Sequence, residues 1–174
     1  VLVLLVSVRP VWGQDGIEAA RGLVAGLVET QGVPGAQVAV WRDGEIVWSE
    51  GFGLANVELG APVTTETKFR IASISKSITG TVLAKLAVEG RIDLDAPVGT
   101  YIAEAPEAWA TLTARHAASH TAGIRHYRGN EIGSLTVYPS TMLALSIFAS
   151  DPLLFEPGAK YDYSTYGFTL LGAT

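Results

Sequence analysis

The chain has 174 residues, 48% of them hydrophobic and 17% charged, which is enough apolar material to bury the core of one ordinary globular domain or a large part of one. A formal net charge of −5 and a pI near 5.1 exclude the clustered Lys and Arg that phosphate backbones require, so nucleic acid is not expected as a partner. Cysteine is absent, which removes disulfides, thiolate nucleophiles and Cys-ligated zinc but leaves the compartment open.

The first residues, VLVLLVSV, form an apolar run too short to span a bilayer, followed by RPVWGQ with Val11 and Gly13 suited to a signal-peptidase site before Gln14. Residues 1–13 are read as the remnant of a secretory signal, with a buried strand as the alternative. The protein is accordingly expected to be exported, periplasmic or extracellular, with no membrane span in the mature chain.

Asp15 can then cap a helix that places Ile17, Ala20, Val24, Leu27 and Val28 on one face before Gly32 and Pro34 stop it. Two β-rich runs, Gln37 to Trp41 and Glu45 to Ser49, flank Asp43-Gly44, a dipeptide able to supply the positive φ angles of a tight hairpin. Trp41 and Trp48 lie on this hairpin, and they and Trp109 are read as packing residues rather than a ligand platform. GLANVELG fits a continuation of the hairpin and lacks the pattern of a phosphate loop, so neither ATP nor NAD is implied.

Farther on, Ile74, Ile78, Val82 and Leu86 fall at helical spacing before Gly90. RIDLDAPVGTYI reads as an extended connection, and short helices are expected over Thr113 to Ser119, over Thr141 to Phe148 and after Tyr163. Helix, hairpin and then a helical stretch make this an α+β protein.

The segment FRIASISKSITG, Phe69 to Gly80, carries four hydroxyl residues around one lysine. On a helix, positions i and i+3 share a face whereas i±1 neighbours turn away. Ser73 is therefore the serine that Lys76 can touch in the first turn, Thr79 is the second choice, and Ser75 and Ser77 point elsewhere. The helix N-terminus adds unpaired N–H groups and a partial positive charge, which stabilise an alkoxide or oxyanion and, in a dry site, disfavour a protonated amine on Lys76. A serine at a helix start is also a common cap, and S-x-x-K alone occurs often by chance, so spacing leaves both readings open.

Four segments in order, FRIASISK with LAVEGRIDLDAPVGTYI, LTARHAASHTAGIRHY, and FEPGAKYDYSTYGFTLLG, resemble the serine β-lactamase and penicillin-binding-protein superfamily on its class C side. The resemblance covers most of residues 33–174. SHTAGIRHY and YSTYG are similar in particular to the mitochondrial-type serine β-lactamase-like proteins and their bacterial relatives.

The resemblance implies a β-lactamase/transpeptidase-like fold, an antiparallel sheet flanked by helices plus a helical subdomain. It makes residues 14–174 the N-terminal part of such a domain, lacking C-terminal strands. It implies Ser73 as acylated nucleophile, Lys76 as its proton partner, and Tyr163 as the tyrosine of a Y-x-N element. Thr165 stands where the family usually has Asn and is expected to contact Lys76 or a substrate amide; it has no paired donor and acceptor, which leaves β-lactam hydrolysis less secure than acyl transfer in general.

The implied activity is a serine hydrolase acting through an acyl-enzyme on a small-molecule or peptide substrate with a peptide, amide, ester or β-lactam carbonyl, without a cofactor. A non-catalytic binding or assembly protein on the same scaffold is the rival. The oligomeric state is open. The family completes its site with a later K-T-G or H-x-G strand, so the piece by itself is expected to fold poorly and to show little activity; losing one oxyanion-hole donor costs about a hundredfold to a thousandfold.

His120, in HTAG, is expected to fix a loop through backbone hydrogen bonds. His116 and His120, four apart, make weak zinc ligands because no Glu lies between them and no third ligand is evident. His126, Tyr127 and Arg128 are read either as lining the entrance or as solvated loop.

Overall fold

The computed structural model describes residues 14–174, so the signal-remnant reading of residues 1–13 lies outside the described residues. The chain divides into two compact units, Val1–Arg70 and Ile71–Thr174.

In the first unit, helix α1 spans Gln14–Thr30 and packs on strands β1, Gly35–Arg42, and β2, Glu45–Asn56. Ile17, Ala20, Val24 and Val28 are half-buried, as an amphipathic stripe requires, while Leu27 is left exposed at the edge of that stripe. The helix already includes Asp15, and its capping role lies outside the described side chains.

The hairpin turns at Asp43 and Gly44 with φ of 50° and 94°, the pair of positive angles that matches the right-handed twist of the flanking strands. Both strands run longer than their β-rich cores, with Gly35 paired to Gly53 and Arg42 to Glu45 and a bulge at Val40/Trp41. A short third strand, β3, Ala61–Pro62, continues the meander and gives the sheet order β1-β2-β3. Trp48 is buried and donates its indole N–H to Glu50 at 2.8 Å, whereas Trp41 is 70% exposed. Glu50 also pairs with Arg21 of α1 at 2.7 Å, which ties the helix to β2.

The second unit is helical. Its elements are α2, Ile74–Val88; α3, Ala114–Ala118; α4, Thr141–Ala144; and α5, Thr165–Leu171, joined by 3₁₀ turns and ordered loops. RIDLDAPVGTYI is only partly extended. Pro97 bridges Thr113 antiparallel, and Val98–Thr100 then close into a 3₁₀ turn that buries Val98 completely.

The core collects Val98, Ile102, Trp109, Leu112, Leu145, Phe148, Tyr166 and Leu170. Trp109 stacks on Phe148 at 5.7 Å and Phe148 on Tyr166 at 4.8 Å, so an aromatic column runs from the loop after α2 to the first turn of α5. α5 also packs on α3, where Gly167 lies against the Ala117 backbone. This packing fixes the helix that begins at Thr165.

Helix α2 differs from its apolar stripe. Leu83 is buried and Leu86 and Ala87 pack against the core, but Ile74, Ile78 and Val82 are 42%, 57% and 52% exposed. Apolar residues occupy more than one face of this helix. The core of this unit takes Leu83 and Ala87 together with Leu86 of the spaced stripe.

Candidate active site

The turn Ile71–Ala72–Ser73 leads into α2, and Ala72 holds a φ of +45°, a conformation that L residues adopt only under constraint. The turn closes through Ile74 N–H to Ile71 O at 3.1 Å and Ser75 N–H to Ala72 O at 3.1 Å. Ser73 occupies the N-cap position, yet its side chain caps nothing. Its hydroxyl instead meets the Tyr163 hydroxyl at 2.7 Å. The Ser73 side chain is therefore not used as a cap, since a capping serine would direct its oxygen back to its own helix.

Lys76, one turn along, donates from Nζ to Ser73 Oγ at 3.2 Å and to Thr165 Oγ1 at 3.2 Å. Its ammonium also lies 5.0 Å from the Tyr163 ring centre and 5.6 Å from that of Phe168, over aromatic faces that favour a cation. Thr79, the second choice by spacing, bonds to Ser75 O of its own helix at 3.0 Å and takes no part. Ser73 is exposed and Lys76, Tyr163 and Thr165 are half-buried, so the cluster faces solvent on the Ser73 side.

Burial disfavours the charged form of the Tyr163 phenol and by itself pushes its pKa up. The Lys76 ammonium, together with the Ser73 and Thr165 hydroxyls, more than reverses this and holds the phenol below its ordinary range. A tyrosine biased toward phenolate beside a serine hydroxyl is the electrostatic arrangement that a general base needs.

The loop 120–126 holds Tyr163 and Thr165 in place. His120, at φ +58°, accepts Asp162 N–H on its carbonyl at 2.8 Å and Ser164 N–H on Nδ1 at 3.2 Å. Ser164, 3% exposed, donates its hydroxyl to Arg125 O at 2.8 Å and accepts Gly167 N–H at 3.1 Å, capping α5. His126 Nδ1 accepts Thr165 N–H at 3.2 Å. The loop-fixing contacts expected of His120 are present; its Nδ1 is occupied by Ser164 N–H, while His116 Nδ1 is buried with no partner among the described residues.

Arg125 was not singled out by sequence, and it is the buried cation of the unit. Its guanidinium pairs with Glu131 at 2.7 Å and with Asp151, and donates to the carbonyl of Ile147 at 3.1 Å. It also lies 5.1 Å from the centre of the Tyr166 ring. Arg125, with Arg128 N–H and the Tyr166 hydroxyl, holds the Glu131 carboxyl down to about 2. An arginine within AGIRHY gives no sequence signal for this role, because its partners lie 6 and 26 residues away.

A β-lactamase family profile matches residues 20–174. The human mitochondrial serine beta-lactamase-like protein LACTB is 33% identical over 226 aligned positions, which take in 90% of this chain and 41% of that protein. The esterase EstB of Burkholderia gladioli is 32% identical, with 80% of this chain and 39% of the esterase aligned. The chain thus spans about two fifths of the length of these curated relatives. The octameric penicillin-binding protein homologue from Pyrococcus abyssi superposes with a TM-score of 0.74 at 27% identity, over 90% of this chain and 38% of that one. With a profile match over most of its length and relatives above 30% identity, the chain belongs to the β-lactamase family of serine hydrolases and penicillin-binding proteins.

Proposed function

We propose that the protein is a serine hydrolase that forms an acyl-enzyme on Ser73, acting on an ester, amide, peptide or β-lactam carbonyl. The observation that carries this is the triangle in which Ser73 Oγ stands 2.7 Å from the Tyr163 hydroxyl and 3.2 Å from Lys76 Nζ.

In the proposed step, Ser73 Oγ bonds to the carbonyl carbon while its proton passes to the Tyr163 phenolate. The tetrahedral intermediate then collapses, the bond from carbon to the leaving nitrogen or oxygen breaks, and the leaving group takes the proton from Tyr163. Water repeats the sequence to release the acid. Lys76 donates a hydrogen bond to the Ser73 oxygen and its charge favours the phenolate, and Thr165 anchors its Nζ. The N–H of Ser73, at the start of α2, is suited to receive the developing oxyanion.

Esters are the first substrate class to test. The Burkholderia gladioli relative is an esterase, and Thr165 offers one hydroxyl, its oxygen already accepting from Lys76, where an amide side chain would present donor and acceptor on separate atoms to a substrate amide. Intact-mass measurement after mixing the protein with an activated ester or labelled penicillin tests the proposal. An added acyl mass in the wild type that is missing from Ser73→Ala is expected; an equal adduct in both proteins rejects it.

A further inference from the structure

Tyr163 is flanked by two imidazoles. The His120 ring lies 4.4 Å from the phenol ring and tilted to it, and the His126 ring meets it edge-on at 5.4 Å. Each imidazole also binds the backbone just beyond the tyrosine, because His120 Nδ1 takes the N–H of Ser164 and His126 Nδ1 takes that of Thr165, both at 3.2 Å. A ring nitrogen that accepts an N–H carries no proton, so both histidines must be neutral, with their protons on Nε2. We infer that His120 and His126 are positioning residues that clamp the Tyr163–Thr165 segment onto Ser73 and Lys76, and that the clamp closes only while both imidazoles are neutral.

Protonation would turn each acceptor into a donor facing another donor, forcing Ser164 N–H and Thr165 N–H away from the rings. Tyr163 lies immediately before the first of these amides, and the Thr165 hydroxyl belongs to the second, so releasing them loosens two of the three contacts around Ser73 and Lys76.

The surroundings favour the closed state. Groups facing His120 are Lys76 of α2, Tyr161, Tyr163 and Phe168, with His126 nearby; those facing His126 are Tyr127 and Tyr163, with the Arg125 guanidinium on its backbone carbonyl at 3.0 Å. No carboxylate is among these contacts to stabilise an imidazolium. Burial first, then the Lys76 charge, holds His120 below the usual imidazole range. The contact of His126 with a backbone N–H has no counterpart in the reading of His126 as entrance lining.

The inference rests on the proposed acyl-enzyme role of Tyr163, but its first test does not. ¹⁵N NMR of the intact protein reads the tautomer of each histidine and, through a pH titration, the amide signals of Ser164 and Thr165. Nε2–H tautomers are expected, with the Thr165 amide shifting at the same midpoint as the His126 ring. An Nδ1–H tautomer in either ring, or a Thr165 amide that ignores the titration, overturns the clamp.

The second test is the rate of Ser73 labelling by a fluorophosphonate. His126→Phe keeps a ring but loses the acceptor, and should slow labelling about fivefold to tenfold, as expected for one hydrogen bond. His126→Asn restores an acceptor that cannot titrate; it should recover most of the rate and remove the acid step that wild type shows. Equal rates and equal pH profiles in all three proteins overturn the clamp. If Ser73 never labels while the NMR outcomes hold, the acyl-enzyme proposal fails and the clamp stands.

Discussion

The hydroxyl of Ser73 and the phenol of Tyr163, 90 residues apart in sequence, meet at 2.7 Å. Ser73 comes from a strained turn at the start of a helix and Tyr163 from the residue before a buried helix cap. Local structure places each residue, but neither hydroxyl meets the other within its own segment. The loop from His120 to His126 brings the second to the first through four hydrogen bonds to Asp162, Ser164 and Thr165.

Because the surroundings hold the Tyr163 phenol below its ordinary range, Ser73 acylation should rise with pH and level off before the pH of about 10 at which a free tyrosine ionises. Tyr163→Phe should lower the rate roughly a hundredfold to ten-thousandfold, the usual worth of a positioned general base, and flatten that rise. Fluorophosphonate labelling rates across pH, compared between the two proteins, check this. A retained rise in Tyr163→Phe would assign the base elsewhere.

Thr165→Val keeps the shape of the side chain and removes the oxygen that holds Lys76 at 3.2 Å. A hydrogen bond to a charged group contributes about 1.5–3 kcal/mol, and the solvent-facing site favours the low end, so acylation should slow about tenfold. Slowed labelling with at most a small drop in the melting temperature is the expected pair of results. An unchanged rate would remove Thr165 from the site.

Among these residues, some were legible in the sequence and some were not. Asp43-Gly44 announced its hairpin because only certain dipeptides tolerate two positive φ angles, and the Ser73–Lys76 pair followed from helical spacing. Tyr163 was legible only through family resemblance, since no local rule joins residues separated by 90 positions. Spacing alone does not say which face of α2 is buried, because Ile78 and Val82 are as apolar as Leu83, and only tertiary packing selects between them. Arg125 and the His126 contact to Thr165 were illegible for the same reason, as their partners are set by how the loops fold back.

The Arg125–Glu131 pair predicts acid sensitivity. The folded-state value for Glu131 lies at about 2 against an ordinary value of 4.5, so its contribution is fully present above pH 4.5 and is lost as pH falls toward 2. Urea melts at stepped pH should show stability dropping through that window. In Glu131→Gln the stability at pH 7 should be lower and the drop shallower. An equally steep drop in the variant would place the acid-sensitive carboxylate elsewhere.

Gly123 bends the loop that carries His120 and His126, at φ +73°, and a Cβ there would collide with the Phe155 carbonyl oxygen. Gly123→Ala should cost about 1–3 kcal/mol for the forced backbone alone. Gly99→Ala should be nearly neutral, because the nearest atom to its new methyl is Ala105 Cβ at 3.9 Å. Denaturation midpoints of the two variants compare them directly, and equal midpoints would contradict the packing described for this loop.

The most direct test of the account is the site of covalent labelling: the intact protein is treated with a fluorophosphonate, digested, and the modified peptide is sequenced by mass spectrometry. A single adduct on Ser73, lost in Ser73→Ala and strongly slowed in Lys76→Ala, is the predicted result. An adduct on Ser75, Ser77 or any other hydroxyl, or labelling that persists without Ser73, would contradict it.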